Sequence, residues 1–280
     1  MTHIAVAVIH GMGTQRKKDV ADPAALSFSR GLHESLTGHL GRARMDRIVW
    51  REIFWADILQ ERQDALVGRM NKVQTMGIAR RFLLERLGDA SNYQFSTKET
   101  STYQRVQQRI RAALTSLEVA TGPDAPLVIL AHSLGGHMVS TYLWDRNSPR
   151  ETAQDVTAFE RGANLARLVT FGCNIPVFAF GHGDIKAMDP DRWTRPGYLA
   201  PDWWHNFYAA ADPLSFPLGP TGGQYETLAR PDATGTAQLT DHRIVVGGLG
   251  GAWNPASHNG YWTGAQFTRP LSALLRKHLA

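Results

Sequence analysis

Apolar residues along the chain follow two periods. Short continuous or alternating runs are separated by longer stretches in which apolar positions return every three or four residues, and that succession predicts strands joined by helices. Residues 3–9 read as a first strand. Asp22-Pro23 has the form of a helix start, and Leu26, Phe28, Leu32, Leu36 and Leu40 keep near-helical spacing behind it. A second strand is predicted over 47–55, carried by Ile48, Val49, Trp50, Ile53, Phe54 and Trp55. Val106, Ile110, Leu114 and Leu117 mark a crossover helix that leads into a fully apolar strand from Leu127. Further strands are predicted over 165–171, 205–210 and 243–246, with a closing helix over 270–279.

The gap between the second strand and the one at Leu127 is about 70 residues, far more than a simple crossover uses. A helical insertion or cap is therefore expected at about 58–100. Leu66, Met70 and Val73 form one helical pattern there, and Phe82, Leu83, Leu84 and Leu87 form another. Arg80-Arg81 ahead of the second pattern fits a lipid-facing lid, and a helix packed on the core explains the same spacing. Residues 174–203, rich in aromatic, glycine and proline residues, are expected to form a pocket or lid loop.

Composition narrows the class. With 280 residues, 43% hydrophobic and 20% charged, the chain suits one α/β domain with a full core. The apolar stretch at 3–9 is too short to span a membrane and lacks a basic segment before it. A single cysteine, Cys173, cannot form an internal disulfide, which fits a reducing, cytoplasmic setting. The net charge of +5 is scattered over helical faces, so no nucleic-acid partner is expected. Contact with a membrane and the oligomeric state stay open. Neither Gly181-His182-Gly183-Asp184 nor Asp189-Pro190-Asp191 resembles a metal-binding loop, and no metal or other cofactor is expected.

The chemistry lies at the end of the central strand. Leu-Val-Ile-Leu-Ala-His-Ser-Leu-Gly-Gly, residues 127–136, is a buried strand that stops at Ser133 among small residues and turns at once into a helical pattern. Such a turn projects the serine Oγ above the sheet edge with a helix N-terminus beneath it. The string Ala-His-Ser-Leu-Gly resembles the nucleophile elbow of the α/β-hydrolase superfamily, with alanine in place of the usual first glycine.

That resemblance implies an α/β-hydrolase fold: a mostly parallel central sheet with helices on both faces, here without the antiparallel hairpin that often opens it. It also implies site residues. His10-Gly11-Met12-Gly13 after the first strand resembles the segment that supplies one oxyanion donor, which places the donors at the N–H groups of Met12 and Leu134. Asp212 follows the strand after next from the elbow, where the family carries its acid. Asp184, Asp202 and Asp241 are rivals. His258 lies in the loop beyond the final strand, where the family carries its base. His10, Gly11, His132 and Phe178 are expected to contact substrate, whereas Asp57 reads as a capping or loop residue and Cys173 as a small buried one.

The implied activity is hydrolysis of carboxylic esters, including lipid or acyl esters, through Ser133, Asp212 and His258 and an acyl-enzyme intermediate. An amidase or peptidase, a thioesterase or an acyltransferase would use the same groups. A binding module built on the same scaffold is the non-enzymatic alternative.

Overall fold

The computed structural model describes residues 3–11, 22–73, 93–148, 155–179, 186–246 and 255–279. The strands are β1 (Ile4–Ile9), β2 (Ile48–Ile53), β3 (Leu127–His132), β4 (Leu165–Phe171), β5 (Trp204–Tyr208) and β6 (Leu239–Arg243). They form one six-stranded sheet in the order β2-β1-β3-β4-β5-β6, with every neighbouring pair parallel. The helices are α1 (Arg30–Leu40), α2 (Arg42–Met45), α3 (Asp57–Val73), α4 (Thr102–Thr121), α5 (Leu134–Arg146), α6 (Ile175–Ala179), α7 (Gln224–Ala229) and α8 (Ala265–Arg276).

Alternation along the strands divides the core in two. Ile4, Val6 and Val8 of β1 join Val128 and Leu130 of β3 on one face, under Leu32 and Leu36 of α1 and Phe267, Leu271 and Leu275 of α8. Ala5, Ala7 and Ile9 join Ile129 and Ala131 on the other, under Ile110 and Leu114 of α4 and Met138 and Tyr142 of α5. A parallel sheet covered on both faces leaves its strand ends as the place where loops converge, and ligands bind outside the carboxyl ends of such strands. No helix among the described residues is long and apolar enough to cross a membrane.

Three elements depart from the sequence expectation. The first helix starts at Arg30, not at Asp22, because the Glu52 carboxylate in β2 accepts bonds from the N–H and hydroxyl groups of both Ser27 and Ser29. Those amides are thereby tied to the sheet, outside any helix. The last strand is Leu239–Arg243 instead of 243–246. Its polar string is held by pairing with β5 and by its own side chains: Asp241 accepts from the Leu218 and Gly219 amides, and His242 stacks on Phe207. The apolar residues beyond it leave the sheet, and Val245 is 67% exposed.

The closing helix begins at Ala265, five residues before Pro270. Burial of Phe267, Leu271, Leu274 and Leu275 outweighs the backbone bond that proline removes. The pattern at Leu66, Met70 and Val73 falls in α3, which packs against α4. The second pattern of the predicted cap, at 82–87, and Arg80-Arg81 lie outside the described residues, as do 180–185 of the predicted pocket loop.

Candidate functional site

β3 delivers its last residue, His132, to the carboxyl edge of the sheet, and the chain turns sharply at Ser133 into α5. Ser133 has φ 56° and ψ −127°, and it is the only described non-glycine residue with positive φ. A side chain held there costs of order 1–3 kcal/mol, so the surroundings must enforce it. Ser133 N–H donates to Phe171 O of β4 at 3.0 Å. Gly11, just past β1, approaches so closely that a Cβ on it would stand 2.4 Å from Ser133 Cβ and 2.9 Å from Oγ. A Cβ on Gly135 would stand 2.8 Å from His10 O, which lets α5 begin against the end of β1. Small residues on both sides of the turn are thus a packing requirement.

The other groups arrive from the far half of the sheet. Asp212 follows β5, and its Oδ1 accepts the Leu214 N–H at 3.0 Å. His258 sits in a 3-10 helix, Pro255–Trp262, beyond β6. His258 Nδ1 lies 3.0 and 2.9 Å from the two Asp212 carboxylate oxygens, with both side chains wholly buried. The contact fixes Nδ1 as the protonated nitrogen and leaves Nε2 as an acceptor. His258 Nε2 and Ser133 Oγ are both buried without a hydrogen-bond partner.

His132 ties the two halves together. Its Nε2–H donates to His258 O at 2.8 Å, and the two rings lie 4.6 Å apart. Tyr261, three residues after His258, falls on the same side of the 3-10 helix, and its hydroxyl lies 3.0 Å from Asp212 Oδ2 and 3.0 Å from Ser215 Oγ. Burial, then the neighbouring carboxylate, pushes the Tyr261 phenol well up, so it remains a protonated donor to Asp212. Sequence reasoning missed Tyr261 and Ser215. The i, i+3 spacing of His258 and Tyr261 is their one signal in the sequence, and it carries meaning only once a 3-10 turn is known there.

The remaining expectations divide. Leu134 is the first residue of α5, so its N–H has no intrahelical carbonyl to pair with and belongs to the positive end of the helix. Met12 lies outside the described residues, as do Gly13 and the rival acid Asp184. His10 is buried with both ring nitrogens engaged: Nδ1–H donates to Gly11 O, and Nε2 accepts from Trp55 N–H. Its ring stacks on Trp55 at 5.0 Å, and Trp55 Nε1–H returns to His10 O. Phe178 stacks on His137, one turn of α5 beyond Ser133, at 4.2 Å and 7°.

The other acids are committed elsewhere. Asp202 pairs with Arg167 at 2.8 Å, Asp241 holds the loop amides named above, and Asp57 opens α3 with an ion pair to Arg109 at 2.6 Å. Cys173 is buried beneath α5, where a Cβ on Gly136 would stand 2.8 Å from Sγ, and burial pushes its thiol up to about 12. Such a thiol is not a nucleophile at neutral pH. Among the described residues no group of three His, Cys, Asp or Glu side chains could hold a metal ion.

No known family model matches the chain, and no curated protein is detectably similar to it.

Proposed function

We propose that the chain is a serine hydrolase of the α/β-hydrolase type that cleaves carboxylic esters. One observation carries the reading. A strained, buried serine on a strand-to-helix turn and a histidine oriented by a carboxylate each leave open the atom that a nucleophile and its base would use. The strand order supports it. Ser133 follows the third strand in sequence, Asp212 the fifth and His258 the sixth, on one all-parallel sheet in the order β2-β1-β3-β4-β5-β6.

In this mechanism Ser133 Oγ attacks the ester carbonyl as its proton passes to His258 Nε2. Asp212 holds Nδ1–H and stabilises the imidazolium, and Tyr261 and Leu214 N–H hold Asp212. Leu134 N–H at the α5 terminus, with Met12 N–H from the expected segment, would bind the oxyanion, and one such donor contributes about 3 kcal/mol to lowering the barrier. His258 returns the proton to the leaving alcohol, and water attacks the acyl-Ser133 ester by the same route. Burial of all three side chains keeps the charges of this step out of bulk water.

Hydrolysis of p-nitrophenyl esters and labelling by a fluorophosphonate, each compared between the wild-type chain and Ser133→Ala, test the reading. Turnover and labelling that both vanish in the variant support it. Turnover that persists in Ser133→Ala removes this serine from the mechanism. Adding an alcohol and analysing the products separates a hydrolase from an acyltransferase.

A further inference from the structure

The outer face of α5 borders a cavity of about 640 Å³, within the range of ligand pockets. Its walls include Tyr93, Phe95, Tyr103, Trp144, Phe178 and Tyr225. We propose that this groove binds the acyl chain of the substrate, so that the preferred ester carries an extended hydrocarbon acyl group. The inference rests on the ester-hydrolase reading of Ser133.

Position argues first. His137, Ser140, Thr141, Trp144 and Asp145 of α5 all line the groove, which therefore follows the helix for about 12 Å. It starts at His137, one turn and about 6 Å of rise beyond Ser133. Ile175, another lining residue, reaches within 3.8 Å of where a Gly136 Cβ would stand, so the groove wall abuts the first turn behind the serine.

The second argument is which half of an ester lies on this side. The leaving alcohol must receive a proton from His258 Nε2, and Tyr261, three residues from His258, packs in the core under α1 and α8. The groove belongs to the opposite face: Tyr93, Tyr103, Ile175, Met188 and Tyr225 pack in the core under α4 and α5. The acyl group stays bonded to the N-terminus of α5 through the intermediate, and its chain continues along α5.

Wall chemistry supplies the third argument. Tyr93 is fixed by its hydroxyl, which accepts from Gln107 Nε2 at 2.8 Å and lies 3.4 Å from Met138 O. Its ring meets Tyr103 at 5.3 Å and His137 at 5.8 Å, and Phe95 meets Tyr103 at 5.4 Å. The lining carries one acidic and one basic side chain, Asp145 and Lys186, beside His137. Apolar surface continues at the rim, where Phe95 is 72%, Trp144 44% and neighbouring Val177 48% exposed. A cluster of exposed apolar side chains around a preformed groove marks a site for apolar ligand.

The test compares p-nitrophenyl decanoate with p-nitrophenyl butyrate in the wild-type chain, Ser140→Phe and Trp144→Ala. Ser140→Phe fills the groove and Trp144→Ala opens its outer wall; circular dichroism confirms that each variant folds. The ratio of kcat/KM for decanoate over butyrate should exceed one in the wild-type chain and fall about tenfold in Ser140→Phe, with a smaller fall in Trp144→Ala. A ratio unmoved in both variants overturns the proposal. Calorimetric titration of decanoate into Ser133→Ala reads the groove without catalysis. Decanoate should bind, and Ser140→Phe added to that chain should abolish binding. Titration heats that are absent, or unchanged by Ser140→Phe, overturn the groove assignment. Absence of ester turnover and of Ser133 labelling in the wild-type chain overturns the hydrolase reading instead.

Discussion

Two histidine clusters, one half-buried and one wholly buried, sit at opposite ends of the sheet, and they differ in how their bonds are closed. Near the start of β4 and β5, Arg167 donates from Nε to His278 Nε2, from one terminal nitrogen to His205 Nε2 and Asp202 O, and from the other to Asp202 Oδ1. His205 Nδ1–H passes the chain of bonds on to His242 Nε2 at 2.9 Å, and Lys277 closes on Asp202 Oδ2. Each bond there ends on another group of the chain. At the carboxyl end, His258 is held on one nitrogen by Asp212, yet its other nitrogen and the Ser133 hydroxyl oxygen are without a hydrogen-bond partner. Leaving a buried polar atom unpaired costs about 1–3 kcal/mol. A saturated network ties the fold together, whereas the open atoms are the ones that the proposed hydrolase chemistry would use.

The contrast breaks most sharply under substitution. Ser133→Ala and His258→Ala should each lower kcat by about ten-thousand-fold or more. The melting temperature should be held or raised in Ser133→Ala and lowered in His258→Ala, which takes a partner from the buried Asp212 carboxylate. Removing the serine side chain also removes an unpaired hydroxyl from a strained turn. Steady-state kinetics alongside calorimetry measures both. A variant that loses stability and keeps its rate would reverse the assignment of the two clusters.

Arg167→Met should do the opposite. It removes the guanidinium that Asp202, His205 and His278 share, while Lys277 still holds Asp202, so the expected loss is about 1–3 kcal/mol. The lower urea midpoint should come with an unchanged kcat/KM at temperatures where the variant is folded. A rate loss comparable to that of His258→Ala would mean that the two ends are coupled.

Acid sharpens the comparison at smaller amplitude. Burial, and next to it the Arg167 charge, pulls His205 and His278 down to about 4. An unfolded histidine titrates near 6.5, so between pH 6.5 and 4 the unfolded chain binds more protons and stability falls as acid is added. Asp202 extends the loss below that window. Burial alone would raise its carboxyl, but the bonds and charges of Arg167 and Lys277 hold it well below the ordinary range. Urea midpoints across pH 4–7 should decline toward acid in the wild-type chain and decline less steeply in Arg167→Met, where burial still acts on the two imidazoles. A flat wild-type profile would show that these imidazoles are not held neutral by the fold.

Legibility followed the kind of force involved. The buried strand at Leu127–His132, the turn at Ser133 and the helix after it can be read in sequence because local apolar pattern and small residues determine them together. The strand at Leu165–Phe171 is equally clear, being apolar on both faces. What stayed hidden depends on partners distant in sequence. Leu-Thr-Asp-His-Arg becomes a strand only because β5 offers an edge and His242 finds Phe207, and Ser27 and Ser29 are drawn out of a helix by Glu52. At the site, the resemblance to the α/β-hydrolases singles out Asp212 and His258 by their place after later strands. Their direct contact, and the support that His132 gives His258 and Tyr261 gives Asp212, are matters of packing, which no spacing rule reports.

Tyr261→Phe makes the finest cut. The phenol is one of three groups on the Asp212 carboxylate, with His258 Nδ1 and Leu214 N–H, so its loss leaves the acid oriented by the other two. Removing one buried hydrogen bond of this kind costs about 1 kcal/mol, and the expected result is a drop in kcat of up to about tenfold with KM unchanged. A structural role alone would lower the melting temperature and leave kcat intact. The positioning role instead predicts a kcat loss that persists well below the melting transition. It also predicts near-silence of the same substitution in a chain already carrying Asp212→Asn, because the tyrosine acts only through that carboxylate. Additive losses in the double variant would show Tyr261 touching the reacting groups directly.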